Sequence, residues 1–163
     1  MQKITPFLWF NDQAEEAVKF YASVFKNSKI GTMVRYDEAG ARASGRPNGS
    51  VMTASFQLEG QDFTAINGGP VFKFTEAISF VVTCENQAEV DYYWTKLSEA
   101  GDEKAQQCGW LKDRFGLSWQ IVPTALPRLL GDKDPKKAMR VMQAMLQMKK
   151  IDIQALKEAY DQQ

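Results

Sequence analysis

Cys108-Gly-Trp110-Leu-Lys-Asp113-Arg-Phe-Gly116-Leu-Ser-Trp119-Gln120-Ile-Val-Pro123 alternates apolar and polar residues on either side of a short Asp-Arg-Phe-Gly break. A period of two is the pattern of a strand, and a break closed by Gly is the pattern of a tight turn. The stretch therefore reads as a β-hairpin. Its second strand sets Leu117, Trp119 and Ile121 on one face and Ser118, Gln120 and Val122 on the other. The first face suits a core and the second suits a cup with a polar floor.

Working upstream, the alternation recurs from Ala77 to Cys84, with Ile78, Phe80 and Val82 opposite Ser79, Val81 and Thr83. Glu85-Asn86-Gln-Ala-Glu89 then supplies a side-chain acceptor with Glu three residues on, the spacing of a capping box. It opens a helix that runs to Ala100 with Val90, Tyr93, Trp94 and Leu97 as its buried stripe.

The first half repeats this order. Ile4 to Phe10 reads as a strand, with Ile4, Leu8 and Phe10 facing a core and Thr5, Phe7 and Trp9 facing away. Asn11-Asp12-Gln-Ala-Glu15 matches the capping-box spacing again, and Ala14, Ala17, Val18, Tyr21 and Phe25 follow at helical intervals. Ile30 to Asp37 is a second strand, and Glu38 to Gly49, rich in Gly, Ser, Pro and Arg, reads as a long loop, either a solvated connection or a lid. Val51 to Leu58 and Asp62 to Asn67 form a hairpin. Asn67-Gly68-Gly69-Pro70 ends it, as an ordinary turn or as a place where backbone amides approach a ligand.

Each half thus reads as strand, helix, then three strands, an internal repeat of two βαβββ modules at about 1–70 and 71–123. After Pro123 the chain turns helical. Thr124 to Leu130 gives one or two turns; Asp134 caps a helix with Pro135 at its first position and Ala138, Val141, Met142 and Met145 on one face. A last helix from Asp152 carries Ile153, Leu156 and Tyr160. Residues 124–163 are expected to extend the same domain, packing on the sheets or across a dimer.

Composition narrows the function. A chain of 163 residues with 44% hydrophobic content is long enough to bury a core without staples. Twenty basic and twenty acidic residues cancel, so no general field draws in nucleic acid or anionic lipid. No run is long enough to span a bilayer and Met1-Gln-Lys-Ile-Thr-Pro lacks a leader pattern, so a cytoplasmic protein is expected. There is no histidine, which removes the commonest transition-metal ligand and the usual acid/base near neutral pH. Cys84 and Cys108, both on expected strands, lack metal-ligand spacing and read as reduced thiols.

Asp113-x-x-Gly116 followed four residues later by Gln120 on a strand resembles the last strand of the vicinal oxygen chelate superfamily, which includes glyoxalase I, bleomycin-resistance proteins and extradiol dioxygenases. Asn67-Gly-Gly-Pro70 and Cys108-Gly-Trp-Leu-Lys-Asp113 resemble its PhnB-like branch, often labelled 3-demethylubiquinone-9 3-methyltransferase. The resemblance implies an α+β fold whose two βαβββ modules form a cupped half-barrel sheet with helices on the convex side, and it implies a homodimer. In metal-using members four strands each supply a ligand. Their matches here are Thr5, Phe63 or Thr64, Ala77 and Gln120, none a carboxylate, imidazole or thiolate, so neither metal nor cofactor is expected. A methyltransferase with an open parallel sheet would need a glycine-rich turn after its first strand, where Phe10-Asn-Asp-Gln stands instead.

The expected ligand contacts are Thr5, Phe7, Trp9, Asn67, Ser79, Cys108, Trp110, Ser118 and Gln120. Three readings stay open. The first is a metal-free protein that binds a small aromatic or amphipathic molecule. The second is an enzyme of the same superfamily, methyltransferase or lyase/dioxygenase-like, working through Cys108 or a carboxylate such as Asp113. The third is a partner-binding dimer whose own side chains fill the cup.

Overall fold

Aromatic and branched residues at every second position build the strands of the computed structural model, which describes residues 1–162 and divides into two units, Met1–Phe74 and Thr75 onward. In the first unit, β1 (Phe7–Phe10), α1 (Ala14–Val24), β2 (Ser28–Arg35), α2 (Glu38–Ser44), β3 (Val51–Leu58) and β4 (Gln61–Asn67) follow in order. The sheet runs β1-β4-β3-β2, with β1 parallel to β4 and the other pairs antiparallel. Leu8, Phe10, Ala54, Phe56, Leu58, Phe63 and Ala65 are buried together with Ala14, Ala17, Val18, Tyr21 and Val24 of α1. Phe56 lies between Tyr21 and Phe63, stacked on both. Burial of such side chains, worth about 1.5–3 kcal/mol each, fixes which face of the sheet the helix covers.

Two of the expected local structures differ in this unit. The segment expected as a loop contains α2, because Asp37 accepts a hydrogen bond from Gly40 N at 2.7 Å, Arg42 pairs with Glu38 one turn away and Gly45 takes a left-handed conformation to end the helix. Behind it, Gly49 N donates to Tyr36 O and the Tyr36 hydroxyl donates to Asn67 O at 2.7 Å, so the segment is tied to the sheet at both ends. The first capping box does not form either. Helix α1 begins at Ala14 without a side-chain cap from Gln13, and Asn67 Oδ1 accepts the Ala14 amide at 2.8 Å from across the sheet.

In the second unit, β5 (Ser79–Cys84), α3 (Gln87–Ser98), β6 (Trp110–Lys112) and β7 (Ser118–Pro123) form a sheet in the order β5-β7-β6, with β5 parallel to β7. Here the capping box forms: Asn86 Oδ1 accepts from Glu89 N, and Glu89 Oε2 accepts from Glu85 N. Val90 and Leu97 of α3 are buried, as are Leu117, Trp119 and Ile121, as the alternation predicts. Ile78 and Ile4, expected in the core, are 70% and 86% exposed, since β5 and β1 start only at Ser79 and Phe7.

One expected strand is missing. Between α3 and the hairpin the polar run Asp102-Glu-Lys makes a 3-10 turn at Glu103–Ala105, capped by Asp102, and Gln107 forms only an isolated bridge to Trp110. The amides of Cys108 and Gly109 donate instead to Met148 O and Lys149 O, both at 2.8 Å. Those acceptors belong to the tail, whose helices α4 (Ala125–Leu130), α5 (Pro135–Leu146) and α6 (Ile153–Asp161) bury Leu126, Leu129, Val141, Ile151 and Leu156 with Val122 of β7 packed against them. Asp134 and Asp152 cap α5 and α6 as expected. Gln87 of α3 bolts the tail down: its Oε1 accepts from Ile153 N, and its Nε2 donates to Ile151 O and to Asp91. Among the described residues, no helix is long and apolar enough to cross a membrane.

Candidate functional site

The Asp-Arg-Phe-Gly turn owes its shape to Asp113. This buried carboxylate accepts from Phe115 N (2.9 Å) and Leu117 N (3.0 Å) through Oδ1 and from the Trp119 indole (2.9 Å) through Oδ2. Gly116, at φ 86°, closes the loop in a conformation that other residues rarely adopt. With three donors converging on it, Asp113 builds the hairpin, and a role for it as a free base does not fit this arrangement.

The hairpin holds a polar patch on the face of β7 opposite Trp119 and Ile121. Register pairs Ser118 with Ser79 on one side and Lys112 on the other, and Gln120 with Val81 and Trp110. Gln120 Nε2 donates to Ser79 Oγ at 2.9 Å. Lys112 forms an ion pair with Glu76, whose carboxyl is held below its usual range first by that hydrogen bond. Among the described residues the Ser118 hydroxyl has no hydrogen-bond partner, although the residue is only 1% exposed. Ser79, Trp110, Ser118 and Gln120 are thus brought together as expected. Lys112 and Glu76 were not anticipated. The strand alternation places Lys112 on the face of Trp110, and that signal could have found it.

Cys108 is the exception in this unit. Its backbone is left-handed (φ 51°), so it stands in a turn and not on a strand, and its sulfur accepts a hydrogen bond from Gln107 Nε2. Cys84, on β5 as expected, is buried beside Glu89, and burial first, then that charge, pushes its thiol up to about 11.

In the first unit, Phe7 and Trp9 occupy the sheet face away from α1, and register aligns them with Thr64 and Ile66. Thr64 therefore shares their face while Phe63 is buried under the helix. Thr5 precedes β1 and is exposed. Trp9 donates its indole N–H to Gly69 O at 3.0 Å, and Phe72 meets its ring edge-on at 4.9 Å. A Cβ on Gly68 would come within 2.1 Å of Trp9 Cζ2, so the glycine is there to admit the indole.

Asn67 and the two glycines have a different role from the one expected. Asn67 Oδ1 caps α1, its Nδ2 donates to Val51 O at 3.1 Å and its carbonyl accepts from Tyr36. The amides of Gly68 and Gly69 donate to Phe10 O and Asn11 O. These groups are committed to joining β4, α1 and β3 and are not offered to a ligand.

Among the described residues, no three His, Cys, Asp or Glu side chains are grouped to hold a metal ion. Ala77, like Thr5, falls outside the strands. An open cleft of about 570 Å³ in the second unit is lined by Glu85, Arg128, Asp152 and Lys157 among others, and by none of the expected ligand contacts.

Residues 2–122 match the family described as 3-demethylubiquinone-9 3-methyltransferase. Among solved structures, the PhnB protein of Bacillus cereus is 40% identical, with a TM-score of 0.64 over 76% of this chain and 100% of that one. Protein PA1353 of Pseudomonas aeruginosa is 20% identical (TM-score 0.58, 76% and 98% covered). The fosfomycin resistance protein FosX of Mesorhizobium loti is 11% identical (TM-score 0.51, 75% and 92% covered) and shares the fold alone. No curated protein is similar enough to match. The family match over most of the chain and the 40% identical relative agree: the chain belongs to the 3-demethylubiquinone-9 3-methyltransferase family and is similar to its PhnB proteins.

Proposed function

We propose that the protein binds a small, flat organic molecule without the help of a metal ion. The Ser118 hydroxyl carries this reading. A buried hydroxyl without a partner costs about 1–3 kcal/mol, and a ligand carbonyl or hydroxyl placed against it removes that cost. The Gln120–Ser79 hydrogen bond beside it orients a second polar contact, and partly exposed Trp110 offers a ring on which a flat ligand stacks. The absence of a metal in this reading rests on donor chemistry, since Thr5, Thr64, Ala77 and Gln120 offer no charged ligand for a divalent ion.

The test is thermal melting of metal-stripped protein against quinones, aromatic antibiotics, sulfonium methyl donors and divalent ions. Bound ligands raise the melting temperature by mass action. Organic ligands are expected to raise it, with the shift lost in Gln120→Leu and reduced in Ser118→Ala. A shift with manganese, nickel, zinc or iron(II) that disappears in Gln120→Leu would overturn the metal-free reading, and no organic shift at all would overturn binding.

The family's description favours a second reading, methyl transfer to a phenolic oxygen. A sulfonium donor that stabilises the protein and is consumed with a phenolic quinol selects it. Turnover unchanged in Cys108→Ala would remove the half-buried thiol from that chemistry.

We also propose a cytoplasmic homodimer. Met139, Met142 and Leu146 leave an exposed apolar stripe along α5, at the i, i+3, i+7 spacing that helix pairs use. Light scattering at micromolar concentration is expected to give twice 18.4 kDa, and the single-chain mass would refute the dimer.

A further inference from the structure

Arg46 lies in the turn that leads from α2 back to β3, and among the described residues its side chain has no hydrogen-bond or ion-pair partner. Its Nε is buried without a hydrogen bond, and among the described residues its guanidinium joins no ion pair. The neighbouring arginines are committed: Arg42 pairs with Glu38, and Arg35 Nη1 donates to Gly49 O. The turn itself is held by the Arg46 amide on Ser44 Oγ, by Gly49 N on Tyr36 O and by the Tyr36 hydroxyl on Asn67 O. The Nε is buried but the residue as a whole is half-buried, so the guanidinium is held at the surface of a braced turn, a preorganised place for an anion.

The surroundings specify the rest of the ligand. Arg46 Cδ lies 3.9 Å from where a Cβ on Gly69 would stand, so its stem passes over the bare turn. Gly69 O is also the acceptor that fixes the Trp9 indole, and Phe72, 62% exposed, stands edge-on to that ring. The arginine stem and the aromatic surface therefore meet at one glycine. A planar guanidinium fork matches a planar carboxylate, and aromatic side chains hold a ring by its face or edge. We propose that Arg46 anchors the carboxylate of a flat aromatic acid whose ring packs on Trp9 and Phe72. All the residues belong to the first unit, so this site stands or falls apart from the Ser118 patch.

Benzoate is the probe, titrated into the whole chain while proton–nitrogen correlation spectra follow the Trp9 indole N–H and the Arg46 Nε–H. Both signals are expected to move saturably with benzoate and to stay still with neutral benzamide. Arg46→Gln is expected to weaken benzoate at least about tenfold without changing the melting temperature, since it removes no internal hydrogen bond. Arg46→Lys keeps the charge, loses the fork and should retain part of the affinity, and it serves as the reference if the Gln variant fails to fold. Equal shifts with benzamide, affinity indifferent to both substitutions or no saturable shift at millimolar benzoate would each overturn the proposal.

Discussion

Asp113 shows how one side chain decides a local fold. Its two oxygens gather two amides and an indole within six residues, so the turn and the buried Trp119 form together. Asp113→Ala removes the acceptor for two amides and an indole, two of these three bonds being buried, and is expected to destabilise the protein by about 3 kcal/mol, read from urea midpoints. Asp113→Asn keeps one acceptor oxygen and should cost less. Cys84 gives the pH dependence. Its thiol ordinarily titrates near 9.0 and is raised to about 11 in the fold, first by burial and then by Glu89. Between those values the unfolded chain gives up the proton while the folded chain keeps it. Stability should therefore fall as pH rises through that window and be indifferent to this group below it. Cys84→Ala should flatten the alkaline decline in urea midpoints, and an unchanged slope would show that other groups cause it.

At the scale of elements, alternation and caps were the legible signals, and they worked where the partner residues lay nearby in sequence. The hairpin, α3 with its Asn86–Glu89 box and the caps of α5 and α6 were all visible in this way. Asp12 stands three residues before Glu15 as Asn86 stands before Glu89, but the Ala14 amide is taken by Asn67, which approaches from the end of β4. No local rule encodes that approach. For the same reason Asn67 read as a ligand group when it is a joint. Helix α2 was hidden by its small residues, although Asp37, the Glu38–Arg42 pair and Gly45 had marked its ends and its side. Of the residues expected at a ligand site, strand parity placed Ser79, Trp110, Ser118 and Gln120 side by side on one sheet face, whereas Cys108 lies off the strand in a left-handed turn. Gln87 tests how an element is held by a remote side chain. Gln87→Ala removes the acceptor for Ile153 N and is expected to cost about 1–2 kcal/mol, with faster amide exchange at the start of α6 before that of β7.

For the molecule as a whole, the family match ends at residue 122 and the solved relatives cover about three quarters of the chain, yet the tail is part of the second unit's structure. It supplies Ile151 and Leu156 to a core shared with Val122 and it accepts the amides of Cys108 and Gly109. The second module lacks the strand that the first module has after its helix, and residues 148–149 accept backbone hydrogen bonds beside the hairpin. A chain cut after Pro123 should therefore be recovered mainly as aggregate, whereas one ending after Asp161 should melt like the whole; soluble yield and melting temperature decide it, and a monodisperse 1–123 fragment would refute the dependence. An exposed strand edge invites pairing with another chain. In this protein the C-terminal segment occupies the two amides of the turn that leads into the edge strand β6, which makes late truncation and stalled synthesis equivalent injuries: each uncaps the same two amides.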